Sequence, residues 1–179
     1  MSRHAGNPTD IQPVMAWEKA LLFEQLPEHW RNIYEMLWQT GIRISEALAV
    51  KRSDLENGGV WIVRTKRKDH RRDFMPLTPE YYAKLDAIAQ TQKLAHIFPY
   101  TAAGAWAALR LAAKKAGIRS TIHPHCFRHG MGYRAMDATG GNLAMVKEML
   151  GHLSIRSTER YINPPLYKVQ EAIRDLNKE

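Results

Sequence analysis

Apolar residues recur at helical spacing from Ala16 through Ala20, Leu21 and Phe23, and Pro27 closes the run, so a first helix is predicted over residues 14–26. Trp30, Ile33, Tyr34, Leu37 and Trp38 share one face of a second helix, residues 28–40, which Gly41 stops. Ser45 is placed to cap a short third helix reaching residue 50. The period then changes from helical to extended. Val60-Trp61-Ile62-Val63-Arg64-Thr65 reads as a strand, and residues 72–77 as its hairpin partner. Helical patterning resumes from Pro79 to about residue 92. It continues over residues 101–116, an alanine-rich stretch closed by Gly117, and then over residues 124–138 and 142–150. A short helix is expected at residues 154–161. Leu166, Val169, Ile173 and Leu176 draw a narrow apolar stripe along a final one, after the stiff Pro164-Pro165 pair. The sum is a mainly α fold with a small antiparallel β-sheet, an α+β arrangement.

With 179 residues there is room for one domain with a real core. Residues 1–13 are polar, lack an apolar signal core and read as a flexible arm; residues 14–164 read as the domain, and residues 165–179 as a separate closing helix. No run of about 18 consecutive apolar residues exists, so no membrane partner is expected. The single cysteine, Cys126, excludes an internal disulfide framework and fits a reducing cytosol. A net charge of +8 changes the picture more, because a basic domain of this size suits a polyanion.

Much of that charge is concentrated. Arg64-Thr65-Lys66-Arg67-Lys68-Asp69-His70-Arg71-Arg72 holds six Lys or Arg in nine residues, at the expected hairpin tip. Such a tip is either a solvated turn or a ribbon laid on nucleic acid, in which case Arg64, Arg67, Lys68, Arg71 and Arg72 supply the phosphate contacts. Elsewhere, Arg43 follows a glycine turn, with Glu46 three residues on to hold its guanidinium; the alternatives are a phosphate grip and an ordinary surface ion pair. In His123-Pro124-His125-Cys126-Phe127-Arg128-His129, a helix beginning near Pro124 sets His125 and Arg128 on one face. A zinc site from these histidines and Cys126 has neither zinc-finger spacing nor a second Cys/His pair. Gly151-His152 would bring an imidazole to a helix end, and Tyr161 lies nine residues later. Two guanidiniums, two imidazoles and a phenol are the groups that breaking a phosphodiester without a metal requires.

Taken together, these segments resemble the tyrosine recombinase, or phage integrase, family across residues 14–164. Gly41-Ile42-Arg43-Ile44-Ser45-Glu46 is similar to its first-arginine box, and His125-Cys126-Phe127-Arg128-His129 to its His-x-x-Arg-His box, with Phe127 where leucine is commoner. Leu150-Gly151-His152 with Tyr161 is similar to its closing box, Thr158 stands three residues before the tyrosine, and Met75-Pro76-Leu77 parallels the family's Val-Pro-Leu.

The resemblance implies a site-specific DNA recombinase performing integration, excision, inversion or resolution through a 3′-phosphotyrosyl intermediate. Arg43, Lys66, His125, Arg128, His152 and Tyr161 would be catalytic and Glu46 supporting. Thr65-Lys66 selects Lys66 as the general acid, whereas counting back from Pro76-Leu77 selects Lys68. No cofactor or metal is implied. The implied partners are double-stranded DNA, further copies of the chain in a tetrameric synapse, and accessory DNA-bending proteins. The implied setting is a bacterial or phage cytoplasm, at the nucleoid. The short stretch before the first helix suits either a catalytic fragment or a single-domain member of the fimbrial phase-switch type. The closing helix docks either on its own domain or on a neighbour. Rival readings are a type IB topoisomerase or telomere-resolving enzyme, a DNA-binding regulator that lost activity, and a metal-dependent nuclease.

Overall fold

A computed structural model describes residues 11–64, 72–91, 93–151, 158, 161 and 173. The chain divides into two compact units, Met1–Met131 and Gly132–Glu179.

In the first unit, α1 (Ala16–Gln25) and α2 (Glu28–Thr40) are separated by Pro27, and Gly41 ends α2 in a left-handed conformation, φ 65°. The Gly41 N–H bonds the Leu37 carbonyl, and the chain re-enters a helix at once as α3, Ile44–Leu48. Ser45 is not its cap. Arg43 occupies the cap position: its N–H is accepted by the Glu46 carboxylate at 3.0 Å, and its carbonyl accepts the Ala47 N–H at 3.0 Å. A single 3-10 turn at Arg52–Asp54 leads into β1 (Leu55–Glu56), β2 (Gly59–Val63) and β3 (Arg72–Pro76), antiparallel in that order. Val60 pairs with Met75 and Ile62 with Asp73, so these four share the inward face. Helix α4 (Pro79–Thr91), α5 (Ala102–Lys115) and the first half of α6 (Pro124–Ala138) complete this unit.

The core of the unit runs through Leu22, Leu26, Ile33, Leu37, Ile42, Ile62, Leu85, Leu109 and Phe127. Helix α1 packs on α5, and α3 meets α2, α5 and β2. Tyr34 lies at its centre. Its ring is 5.0 Å from that of Phe127, and its hydroxyl donates to the Ala105 carbonyl at 2.7 Å. Desolvation pushes this phenol, and likewise Tyr81, well above the usual tyrosine range. A raised folded pKa means the native state holds its proton where the unfolded chain has lost it. The resulting stability is intact below about pH 10 and is lost as pH climbs beyond that value. Tyr34→Phe is expected to cost about 1 kcal/mol at neutral pH, roughly 2–4 °C in Tm, and to soften the alkaline decline. Thermal melts of both proteins between neutral pH and strong alkali check this; an unchanged alkaline slope in the variant would contradict it.

The second unit holds the rest of α6 and α7, Leu143–Leu150. Asn142 caps α7 through the Met145 N–H, and Gly151 closes it at φ 62°. Val146, Leu150, Thr158 and Tyr161 are buried here. The helix expected at residues 154–161 and the closing helix fall largely outside the described residues; Thr158 and Ile173 are helical. No helix among the described residues is long and apolar enough to cross a membrane.

Candidate active site

The Gly41 turn places two arginines. Arg43 sits at the mouth of α3, about one-fifth exposed, and its Nη1 donates to Glu46 Oε1 at 2.8 Å. Arg128 rises from α6 and is buried, with Nη1 donating to the carbonyl oxygen of Gly41 at 2.7 Å. The anchor of the second arginine is therefore two residues from the first. A glycine there leaves its carbonyl free to turn toward α6, because the left-handed φ breaks the ladder of α2.

His125 lies one helical turn before Arg128 and is exposed, with its ring 5.2 Å from that of His129 in edge-on contact. His129 is buried. An exposed imidazole beside a buried guanidinium gives a proton-transfer group next to a fixed positive charge. His123 points elsewhere, stacked flat against Trp106 with centroids 5.6 Å apart. Desolvation, then the nearby Arg119 charge, pulls its pKa below the ordinary imidazole value and favours the neutral ring. Burial pushes the Cys126 thiol up, which disfavours a nucleophilic thiolate. Among the described residues no three His, Cys, Asp or Glu side chains converge as metal ligands.

Arg64 requires a correction. The sequence put it with the DNA-contacting residues of the basic run, but its side chain is 1% exposed. Its Nε donates to Asp73 Oδ2 at 2.8 Å, and its Nη1 faces Glu46 Oε2 at 3.5 Å. In this structure its guanidinium is directed inward to two carboxylates rather than out to solvent as the hairpin-tip expectation had it. Arg72, by contrast, is half exposed at the start of β3, paired with Asp54 at 2.7 Å and lying over the Trp61 ring. Lys66, Arg67, Lys68, Arg71 and His152 lie outside the described residues.

Tyr161 belongs to the second unit. Its ring is 4% exposed and lies against Gly132 of α6, where an added Cβ would overlap it. Tyr133 meets it edge-on at 5.2 Å. Asp73, Gly132 and Tyr133 were not singled out in the sequence.

A small antiparallel sheet among helices, with an arginine after α2 and a His-x-x-Arg pair on α6, defines the tyrosine recombinase catalytic fold. The sequence matches the phage integrase family over residues 7–165, and the chain belongs to that family. It is 26% identical to Tyrosine recombinase XerD of Corynebacterium glutamicum, over 97% of this chain and 62% of that protein. It is 30% identical to Tyrosine recombinase XerC of Lactobacillus leichmannii, over 73% of this chain and 49% of that protein. The chain thus spans about half to three-fifths of these relatives' length. The fold is similar to the catalytic domain of bacteriophage HP1 integrase, with a TM-score of 0.70 at 22% identity over 92% of this chain and 95% of that one. It is also similar to XerH site-specific recombinase bound to difH substrate, with a TM-score of 0.69 at 22% identity over 89% and 52%.

Proposed function

We propose that this chain carries the strand-cutting and strand-joining activity of a site-specific DNA recombinase. The observation that carries the reading is the Arg128–Gly41 bond, which ties the arginine of the His-x-x-Arg motif to the turn that delivers Arg43. Family membership and the relatives named as recombinases support DNA as the substrate.

In this mechanism the Tyr161 oxygen attacks the scissile phosphorus, and its proton passes to an acceptor assisted by His125. The bond from phosphorus to the 5′-oxygen breaks, and Lys66, or Lys68 in the alternative register, protonates the departing oxygen. Arg43 and Arg128 hold the non-bridging oxygens as negative charge builds, and His152 donates a hydrogen bond to one of them. A 5′-hydroxyl from a partner strand then displaces the tyrosine and restores a phosphodiester. The bond is exchanged rather than hydrolysed, so no external energy source is needed. Arg72 and the basic residues 67, 68 and 71 grip the DNA backbone, and several copies of the chain assemble on DNA, with bending proteins as accessories.

The test is a DNA duplex nicked next to the exchange point, so that the freed end diffuses away and the intermediate is trapped. A covalent protein–DNA adduct is expected on a denaturing gel, formed equally well in EDTA, with the nucleotide attached at Tyr161 by peptide mass mapping. Attachment at another residue, or cleavage with no adduct, would remove the reading.

A further inference from the structure

Arg64, Asp73 and Glu46 form a buried ion-pair chain that ends on Arg43, and the reaction scheme above uses only its outer member. Glu46 carries no exposed side-chain surface and Arg64 only 1%. Charges this deep are tolerated only when paired with good geometry. Glu46 divides its two oxygens. Oε1 receives Arg43 Nη1 at 2.8 Å, while Oε2 receives the Arg43 N–H at 3.0 Å and faces Arg64 Nη1 at 3.5 Å. Arg64 is in turn fixed by Asp73 through Nε at 2.8 Å. Asp73 lies opposite Ile62 in the sheet register, so the anchor is built into the β2–β3 ladder.

We propose that Arg64 is a positioning residue for Arg43, acting through Glu46. This rests on the recombinase reading for its catalytic consequence, though not for its geometry. Two forces follow from the arrangement. Arg64 holds Oε2, which fixes the carboxylate plane and aims Oε1 at Arg43. Arg64 also shares the Glu46 charge, leaving the Arg43 guanidinium with positive potential to offer a phosphate. Without Arg64, Glu46 keeps Arg43 as its remaining ion-pair partner among the described residues and draws it inward to a closer pair. Lysine cannot substitute, because one ammonium does not reproduce a fork that meets two carboxylates from different nitrogens.

The experiment compares wild type, Arg64→Lys, Arg64→Gln and the charge-balanced pair Arg64→Gln/Asp73→Asn, which guards against misfolding from an uncompensated carboxylate. Two readouts are taken. The first is nitrogen NMR of the Arg43 guanidinium in the free protein, assigned by its loss in Arg43→Lys. Wild type is expected to give a resonance protected from exchange by the Glu46 bond and displaced in all three variants. The second is the rate of adduct formation at saturating DNA, on ordinary nicked DNA and on DNA with a methylphosphonate at the scissile position. A displaced guanidinium is expected to slow the ordinary substrate about 100-fold, the effect of misplacing a group by about 1 Å. The methylphosphonate has lost a negative oxygen, needs less of Arg43, and should narrow that gap to about tenfold or less. Arg64→Gln should add no further loss in an Arg43→Lys background, since coupled residues are non-additive.

A purely structural role would slow both linkages alike and add fully to Arg43→Lys; either result overturns the proposal. So does an Arg43 resonance unchanged in the variants. Should wild type form no adduct on either DNA, the recombinase reading fails, and the NMR comparison alone then upholds or overturns the positioning.

Discussion

Arg128→Ala is expected to slow adduct formation about 10³-fold and to lower Tm by roughly 5–10 °C. The two effects have one origin. The guanidinium is 2% exposed, so its charge acts with little screening by water, where a fixed donor to a developing oxyanion contributes about 3–4 kcal/mol. The same group donates to the Gly41 carbonyl at 2.7 Å. Hydrogen bonds from charged donors contribute about 1.5–3 kcal/mol, and about 2–4 °C accompanies each kcal/mol in a chain of this length. Arg128→Lys separates the parts. A lysine restores charge without the fork, so part of the stability returns while cleavage stays at least about tenfold down. DNA affinity against salt should lose about 0.9 from its logarithmic slope if one phosphate contact is gone. Thermal melts and single-turnover cleavage decide the matter. An Arg128→Ala protein that melts several degrees lower yet cleaves within threefold of wild type would leave Arg128 as a structural residue alone.

The helices were legible because their signals are redundant. For α2, a five-residue apolar face and a terminal glycine agree, and the observed span Glu28–Thr40 is the expected one. For α6, Pro124 marks the start and Pro124–Ala138 is likewise as expected. The short elements were less legible. Two residues, Leu55 and Glu56, carry no measurable period, so β1 was not anticipated. A signal was present nonetheless. Asn57-Gly58 adopts positive φ at both positions, 49° and 75°, the pattern of a tight hairpin turn that Asn-Gly favours.

Arg64 teaches a similar lesson about the site. Its basic neighbours in sequence suggest a solvated tip. Alternation along β2 says otherwise, since Val60 and Ile62 are buried and the next residue on that face is Arg64. A cation continuing an apolar face demands a buried anion, and Asp73 and Glu46 are the anions. Which anions those would be depends on strand register and on helix placement, and neither is local to the sequence. The carbonyl of Gly41 was invisible for the same reason, because every residue has one and only the fold decides which is aimed at an arginine.

Gly132→Ala is expected to unseat Tyr161, and the sign of its effect on stability is the informative part. A glycine inside a helix lowers stability by about 0.5–1 kcal/mol relative to alanine, so on propensity alone the change should be favourable. Here the new methyl would overlap the Tyr161 ring, which rests on the α6 backbone at that point. The helix cannot yield without breaking its ladder, so the ring must. Overpacking of this kind costs about 1–3 kcal/mol, enough to reverse the propensity gain. The expected result is a net loss of about 1–2 kcal/mol and a phenol displaced from its contact with Tyr133, read by the Tyr161 ring resonances. If that seat also sets the approach of the nucleophile, adduct formation falls about 100-fold. Combining the change with Tyr161→Ala isolates the cause. With the ring gone, Gly132→Ala should become stabilising by up to about 1 kcal/mol, because only the propensity term remains. A gain in stability in the wild-type background as well would mean that the ring does not rest on the helix there. The buried position of Tyr161 would then need another support.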